Sequence, residues 1–123
     1  MVLDSSAVVA LMLRESAATI LEAAMRGKLV FLMGTPAILE TAMVIGSRHP
    51  NRGADNLDAF LAARRIEIIP FDVEQLDVAR EAFRRFGRGS GSKAKLNFGD
   101  CCTYALAKVR GEPLLFVGED FSH

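Results

Sequence analysis

Four acidic side chains, Asp4, Glu40, Asp100 and Asp120, each fall where a short apolar run ends or a helical stretch begins. Carboxylates gathered in one place repel, so at neutral pH they need a bound divalent cation or raised pKa values. Oxygen-only ligands suit Mg²⁺ or Mn²⁺, ions that also accept phosphate oxygens. Such a metal acidifies its water and offsets charge on the phosphate and the leaving oxygen; two metals roughly 3.5–4 Å apart would divide those tasks. The chemistry implied is hydrolysis of a phosphodiester. Each acid also has a plainer role. Asp4 can cap a helix beginning at Ser5, Asp100 can join a capping arrangement with Asn97, and Asp120 suits a Gly118-Glu119-Asp120 turn. Asp72 is read as a cap alone. What favours a site is that four carboxylates collect at the same strand ends, three of them with no lysine or arginine beside them in sequence. The helical neighbours of Glu40, namely Pro36, Ala37, Met43 and Val44, cannot neutralise it, so a carboxylate on that side would be desolvated without a cation.

The elements that must position these acids alternate between strand and helix. Met1–Asp4, Leu29–Met33, Ile66–Pro70 and Leu114–Val117 read as short strands. Helices are expected over Ser5–Leu13 and Ser16–Arg26, the second with Ile20, Leu21, Ala24 and Met25 at helical spacing and Gly27 as its stop. Thr35-Pro36 is a cap followed by proline at the first helical position, opening a helix to about Ser47. Asn51–Arg64 carries Leu57, Phe60 and Leu61 on one face. Asp72, with Gln75 in capping-box position, opens a helix to Phe86, and Phe98–Val109 is the last long helix before Gly111. This alternation predicts one α/β domain over residues 1–123, with a mainly parallel central sheet of four to five strands between helical layers. Ligands in such sheets bind beyond the carboxyl ends of the strands, where all four acids would lie.

Half the 123 residues are apolar, and fifteen basic side chains balance fifteen acidic ones. That is globular composition without a global field for nucleic acid, so a nucleic-acid partner would need a local basic patch or a bridging metal. No signal peptide or membrane-length apolar run is visible, and Cys101 and Cys102 are sequence neighbours that cannot staple distant parts of the fold. Two buried, reduced thiols and a cytoplasmic location are expected. The apolar residues of the first two helices, Val8 to Leu13 among them, exceed what one buried face needs, so part of that surface is expected to meet a partner.

In order along the chain, Val2-Leu3-Asp4-Ser5-Ser6-Ala7, Thr35-Pro36-Ala37-x-x-Glu40, Leu96-Asn97-Phe98-Gly99-Asp100-Cys101 and Leu114-Leu115-Phe116-x-Gly118-x-Asp120-Phe121 resemble the PIN-domain nucleases. The resemblance is strongest to the VapC toxins of bacterial toxin–antitoxin pairs, and it spans essentially the whole chain. It implies a three-layer α/β/α domain with endoribonuclease activity needing Mg²⁺ or Mn²⁺. It also implies a homodimer and a small VapB-like antitoxin whose tail covers the acidic site. By position, Asp4, Glu40 and Asp100 correspond to the metal-binding acids and Asp120 to a more variable fourth; Ser6 and Asn97 correspond to supporting polar residues. One departure is the chain end at His123, where relatives continue through a polar stretch and often a last strand.

Between Arg84 and Lys95, five positive charges (Arg84, Arg85, Arg88, Lys93, Lys95) surround a Gly/Ser segment with no negative charge. They are read as a flexible basic loop that grips RNA phosphates at the mouth of the site, against the alternative of a solvated connector. The segment is not a phosphate-binding P-loop, because it follows a helix and lacks a glycine before Lys93. His49 and His123 have no spacing partners for base or metal chemistry, and Tyr104 is read as core. A response-regulator receiver domain would need paired acids after the first strand, and a haloacid-dehalogenase-type phosphatase an Asp at position 6; Ser5 and Ser6 exclude both. A non-catalytic module of the same fold, binding RNA or protein, is the remaining alternative.

Overall fold

The computed structural model describes residues 1–122; His123 lies outside the described residues. Its four strands, β1 (Val2–Leu3), β2 (Phe31–Gly34), β3 (Ile66–Ile69) and β4 (Leu114–Leu115), form a single parallel sheet in the order β3-β2-β1-β4. A parallel sheet covered on both faces requires apolar residues at successive positions. β1 meets that demand: Val2 packs with Leu32, Ile69 and Leu106 on one face, and Leu3 with Met33, Ala7 and Val8 on the other. Six helices supply the covering: α1 (Ser5–Met12), α2 (Ala18–Met25), α3 (Thr35–Arg48), α4 (Gly53–Ala63), α5 (Val73–Phe86) and α6 (Phe98–Arg110). α5 and α6 pack together through Ala79, Cys101 and Ala105, with Leu96 of the connecting segment in the same cluster. The expected α/β architecture with a parallel sheet is present, with four strands among the described residues.

Several boundaries move, each for a local reason. β2 begins at Phe31 rather than Leu29, because β1 starts at Val2 and pairs it with Leu32; Leu29 and Val30 therefore have no strand opposite them and are 96% and 51% exposed. β4 ends at Leu115 rather than Val117. The chain leaves β1 at Asp4, whose amide makes the last ladder bond to Leu115, and the Val117 amide donates instead to Ser6 Oγ at 3.0 Å. α2 buries Leu21 and Met25 but leaves Ile20 exposed, so its inner face is narrower than the spacing predicted. α3 starts one residue early, with Gly34 as its cap, and the Thr35 hydroxyl accepts from the Phe71 amide instead of capping its own helix. Asp72 caps α5 by accepting from Gln75, but the Gln75 side chain donates to the Pro70 carbonyl, so only half of the expected capping box forms.

The apolar surplus of α1 is largely consumed by packing. Val8 and Leu11 are buried and Val9, Met12 and Leu13 half-buried. Exposed apolar side chains stand on α2 (Ile20), in keeping with part of the surplus expected of the first two helices, and also on α3 (Leu39, Met43), α5 (Val73, Phe83) and α6 (Phe98).

Candidate active site

Asp4 is the N-cap of α1, as its plainer reading required, and it is also 95% shielded from solvent at the carboxyl end of the central strand. Its Oδ2 accepts from the Ser6 amide at 3.1 Å and the Ser6 hydroxyl at 2.6 Å. Because the same hydroxyl accepts from the Val117 amide, Ser6 ties the β1 end to the turn that carries Asp120. Sequence position marked Ser6 as a support; its bond to Val117 explains what it supports.

Asp100 lies in the first turn of α6 and completes a reciprocal capping box. Its amide donates to Asn97 Oδ1 at 2.9 Å, and its Oδ2 accepts from the Asn97 amide at 3.0 Å. The carboxyl is buried, and burial raises its pKa from 3.8 to about 6. The Asn97 amide pulls it down, while the charges of Asp120 and Asp4 and a hydrogen-bonding contact with Asp120 push it up. Asp4, Asp100 and Asp120 therefore share one electrostatic environment. Asp120 itself is exposed on the turn after β4. Among the described residues, no lysine or arginine forms an ion pair with any of these carboxylates or with Glu40.

Glu40 reaches the same corner from α3. Ser5 Oγ donates to its Oε1, and its carboxylate lies over the backbone of Gly99, the residue before Asp100. It is half-buried rather than fully desolvated, and Met43 one turn on is 68% exposed. Neither Ser5 nor Gly99 was singled out from the sequence. The only signals were adjacency to Asp4 and a glycine in the first turn of a helix, where alanine would be the better helix former.

The donor set suits a hard divalent cation: all oxygen, mutually repelling and without a basic partner. Among the described residues, no group of three or more His, Cys, Asp or Glu side chains is placed so that it could hold a metal ion. Asp4 and Asp120 act on the Asp100 carboxyl, so these three, with Glu40 beside them, are the acids that would have to hold one.

The basic stretch divides. Arg88, Lys93 and Lys95 line a cleft of about 430 Å³ with Glu119 and Asp120, so they stand at the rim of the acidic corner. The loop is pinned at its base by a parallel bridge between Gly87 and Leu96, with the Leu96 amide donating to Phe86. Arg84 does not join them: it is paired with Glu81 on α5 at 2.6 Å. Arg85 lies over the Phe86 ring and lines a separate cavity with Asp77 and Glu81. His49 caps the end of α3, outside the acidic corner, and the reading of His123 falls outside the described residues. Tyr104 is only half-buried and lines an apolar cavity of about 490 Å³ beside β4 with Phe86, Leu96 and Phe116, rather than filling the core. Cys101 and Cys102 are free and buried as expected, and burial pushes the Cys102 thiol up to about 11.

Residues 1–123 match the PIN domain family, the whole of the chain. The chain is 44% identical over 123 residues to ribonuclease VapC30 of Mycobacterium tuberculosis, covering 100% of this chain and 93% of that protein. It is 47% identical over 121 residues to ribonuclease VapC of Mycolicibacterium smegmatis, covering 98% and 93%. The chain belongs to the VapC family of PIN-domain ribonucleases. Its fold is shared with two VapC crystal structures. Mycobacterium tuberculosis VapC20, a Sarcin-Ricin loop cleaving toxin, superposes with a TM-score of 0.75 at 18% identity, over 98% of this chain and 92% of that one. VapBC2 from Rickettsia felis, bound to a DNA fragment from its promoter, gives 0.76 at 14% identity, over 96% and 86%. In this chain the acidic corner lies at the carboxyl ends of β1 and β4 and at the start of α6.

Proposed function

We propose that this protein is a divalent-metal-dependent endoribonuclease and the toxin of a toxin–antitoxin pair. The observation that carries the proposal is the buried Asp100 carboxyl, pushed up by burial and by the charges of Asp120 and Asp4, with no basic partner to relieve it. A bound Mg²⁺ or Mn²⁺ would relieve that repulsion, supply positive charge to a phosphate and acidify a water. Asp4, Asp100 and Asp120 hold the charge that fixes such an ion, Ser6 and Asn97 hold two of those carboxylates in place, and Glu40 supplies a fourth acid from α3. Arg88, Lys93 and Lys95 bind the flanking RNA backbone, which the neutral net charge of the chain would not attract.

The partner is a VapB-like antitoxin, in keeping with the curated VapC relatives and the VapBC2 likeness. A homodimer would cover the exposed apolar side chains of α3, α5 and α6, among them Met43, Phe83 and Phe98. Two free buried thiols fit the cytoplasm, and no helix among the described residues is long and apolar enough to cross a membrane.

The test is cleavage of RNA by protein purified free of any antitoxin. Cleavage should require Mg²⁺ or Mn²⁺ and be abolished by chelator and by Asp100→Asn. Protein that binds no divalent cation would sink the proposal, and metal binding without cleavage of any RNA would favour a binding module.

A further inference from the structure

Gly99 is the one residue whose missing side chain makes room for a member of the acidic corner. A Cβ built on it would lie 2.8 Å from Glu40 Oε1, 2.9 Å from Oε2 and 3.1 Å from Cδ. Atoms that close cannot coexist, so any other residue at 99 would expel the Glu40 carboxylate from its place. The group that must move is the end of a flexible side chain, and among the three nearest atoms there is no backbone. The fold would therefore tolerate the substitution while the carboxylate would not.

A second contact acts on the same carboxylate from another element. The Ser5 hydroxyl, on a residue only 8% exposed, donates to Glu40 Oε1. Glu40 sits on α3, Ser5 follows Asp4 in α1, and Gly99 precedes Asp100 in α6. Each flanking residue is thus the chain neighbour of one of the aspartates. Glu40 has no ion pair among the described residues, so these two contacts are what define its position.

We infer that Gly99 and Ser5, the chain neighbours of Asp100 and Asp4, are positioning residues that seat the Glu40 carboxylate, Gly99 by leaving space and Ser5 by its hydrogen bond. This rests on the metal-site reading only for its functional consequence; the seating itself is a property of the chain. Glycine in the first turn of α6 sacrifices helix propensity, and the seat for Glu40 is what that sacrifice provides.

The experiment compares wild type, Gly99→Ala, Glu40→Asp and the double variant. Gly99→Ala should fold with an unchanged or higher melting temperature, since alanine favours the helix. Its Mn²⁺ affinity, measured by calorimetry without RNA, should fall about tenfold, the usual scale for residues that orient a metal ligand. Glu40→Asp withdraws the carboxylate by one methylene, which empties the space that a methyl group at 99 would fill. The double variant should therefore lose no more than Glu40→Asp alone; losses that multiply would show that Gly99 does not act through Glu40 and would overturn the inference. Should wild type bind no Mn²⁺, the metal-site reading fails, and the seating is decided by a crystal structure of metal-free Gly99→Ala. A Glu40 carboxylate displaced from Ser5 upholds it; one still bonded to Ser5 overturns it.

Discussion

Asp4 and Asp72 occupy the same local position in two parts of the molecule: each follows a parallel strand and caps the helix that comes next, accepting from the backbone with its side chain. Yet Asp4 is buried in a cluster of acids, while Asp72 is exposed and meets only its own helix. The difference lies in the strand each one follows. In the order β3-β2-β1-β4, β3 is an edge, whereas β1 is the strand at which the order reverses, with β2 on one side and β4 on the other. The chain crosses from β1 to β2 on one side while β4 pairs on the other, and the carboxyl ends of the strands where the order reverses are where open α/β sheets form a ligand crevice. Asp4 and Asp120 sit on its two lips, and α6 brings Asp100 between them. On the proposed function, sheet topology is what turns one helix cap into a site residue, since the local chemistry of the two caps is alike.

The sharpest way to break this comparison is to remove charge while keeping the cap. Asparagine caps helices as well as aspartate does, so Asp4→Asn should leave the melting temperature nearly unchanged. RNA cleavage should nonetheless fall by more than about a hundredfold, beyond the 10–100-fold usual for residues that merely orient a ligand. Asp100→Asn should cut cleavage to the same degree with no loss of stability, because an asparagine oxygen can still accept from the Asn97 amide. Full activity in either variant would reduce Asp4 or Asp100 to the status of Asp72.

Asp100 also gives the cluster a pH signature that Asp72 lacks. Its folded-state pKa is about 6 against an ordinary 3.8, so over that interval the folded protein holds a proton that the unfolded chain has already released. Metal-free stability should therefore fall as pH rises from 3.8 to about 6 and stay reduced above it. Asp100→Asn should remove that slope and stabilise the metal-free protein at pH 7 by at most about 3 kcal/mol, less where solvent screens the pair charges. Chemical denaturation at pH 4 and pH 7, with chelator, reads both. A variant equally stable at both pH values but no more stable than wild type at pH 7 would mean that the acids do not strain one another.

How much of this was legible in sequence follows from the range of each interaction. The Asp4 and Asp100 placements rest on strand ends and caps, which are encoded within a few residues, so both were readable. The Arg84–Glu81 pair was readable on the same grounds, as charges one helical turn apart; counting Arg84 with the loop ignored it. Gly99 against Glu40 and Ser6 against Val117 were not readable, because they join residues far apart in the chain through a register that only the folded sheet defines. The shortness of β4 belongs with these, since it follows from Ser6 capturing the Val117 amide.

The basic rim extends the comparison from acids to cations. Arg88, Lys93 and Lys95 border Asp120, whereas Arg84 and Arg85 are occupied on α5. Replacing the three rim residues by alanine should weaken RNA binding about tenfold at moderate salt. It should also flatten the dependence of log affinity on log salt by about 0.7 for each phosphate no longer neutralised. Arg84→Ala with Arg85→Ala should change neither quantity measurably. Equal losses in the two sets would mean that the whole stretch acts as a diffuse positive field.

The smallest effect belongs to Asp72 and serves as the control for all the others. Asp72→Ala removes the acceptor for the Gln75 amide at the start of α5 and should cost about 1 kcal/mol of stability, the usual value of an N-cap. Cleavage, metal affinity and the pH slope should stay at their wild-type values, because no acid of the corner lies on β3 or α5. The loss should also be rescued by Asp72→Asn, which Asp4→Asn cannot match in activity. A drop in metal affinity on Asp72→Ala would place the edge of the sheet in the site and undo the topological argument, since the crevice between β1 and β4 would no longer distinguish the two caps.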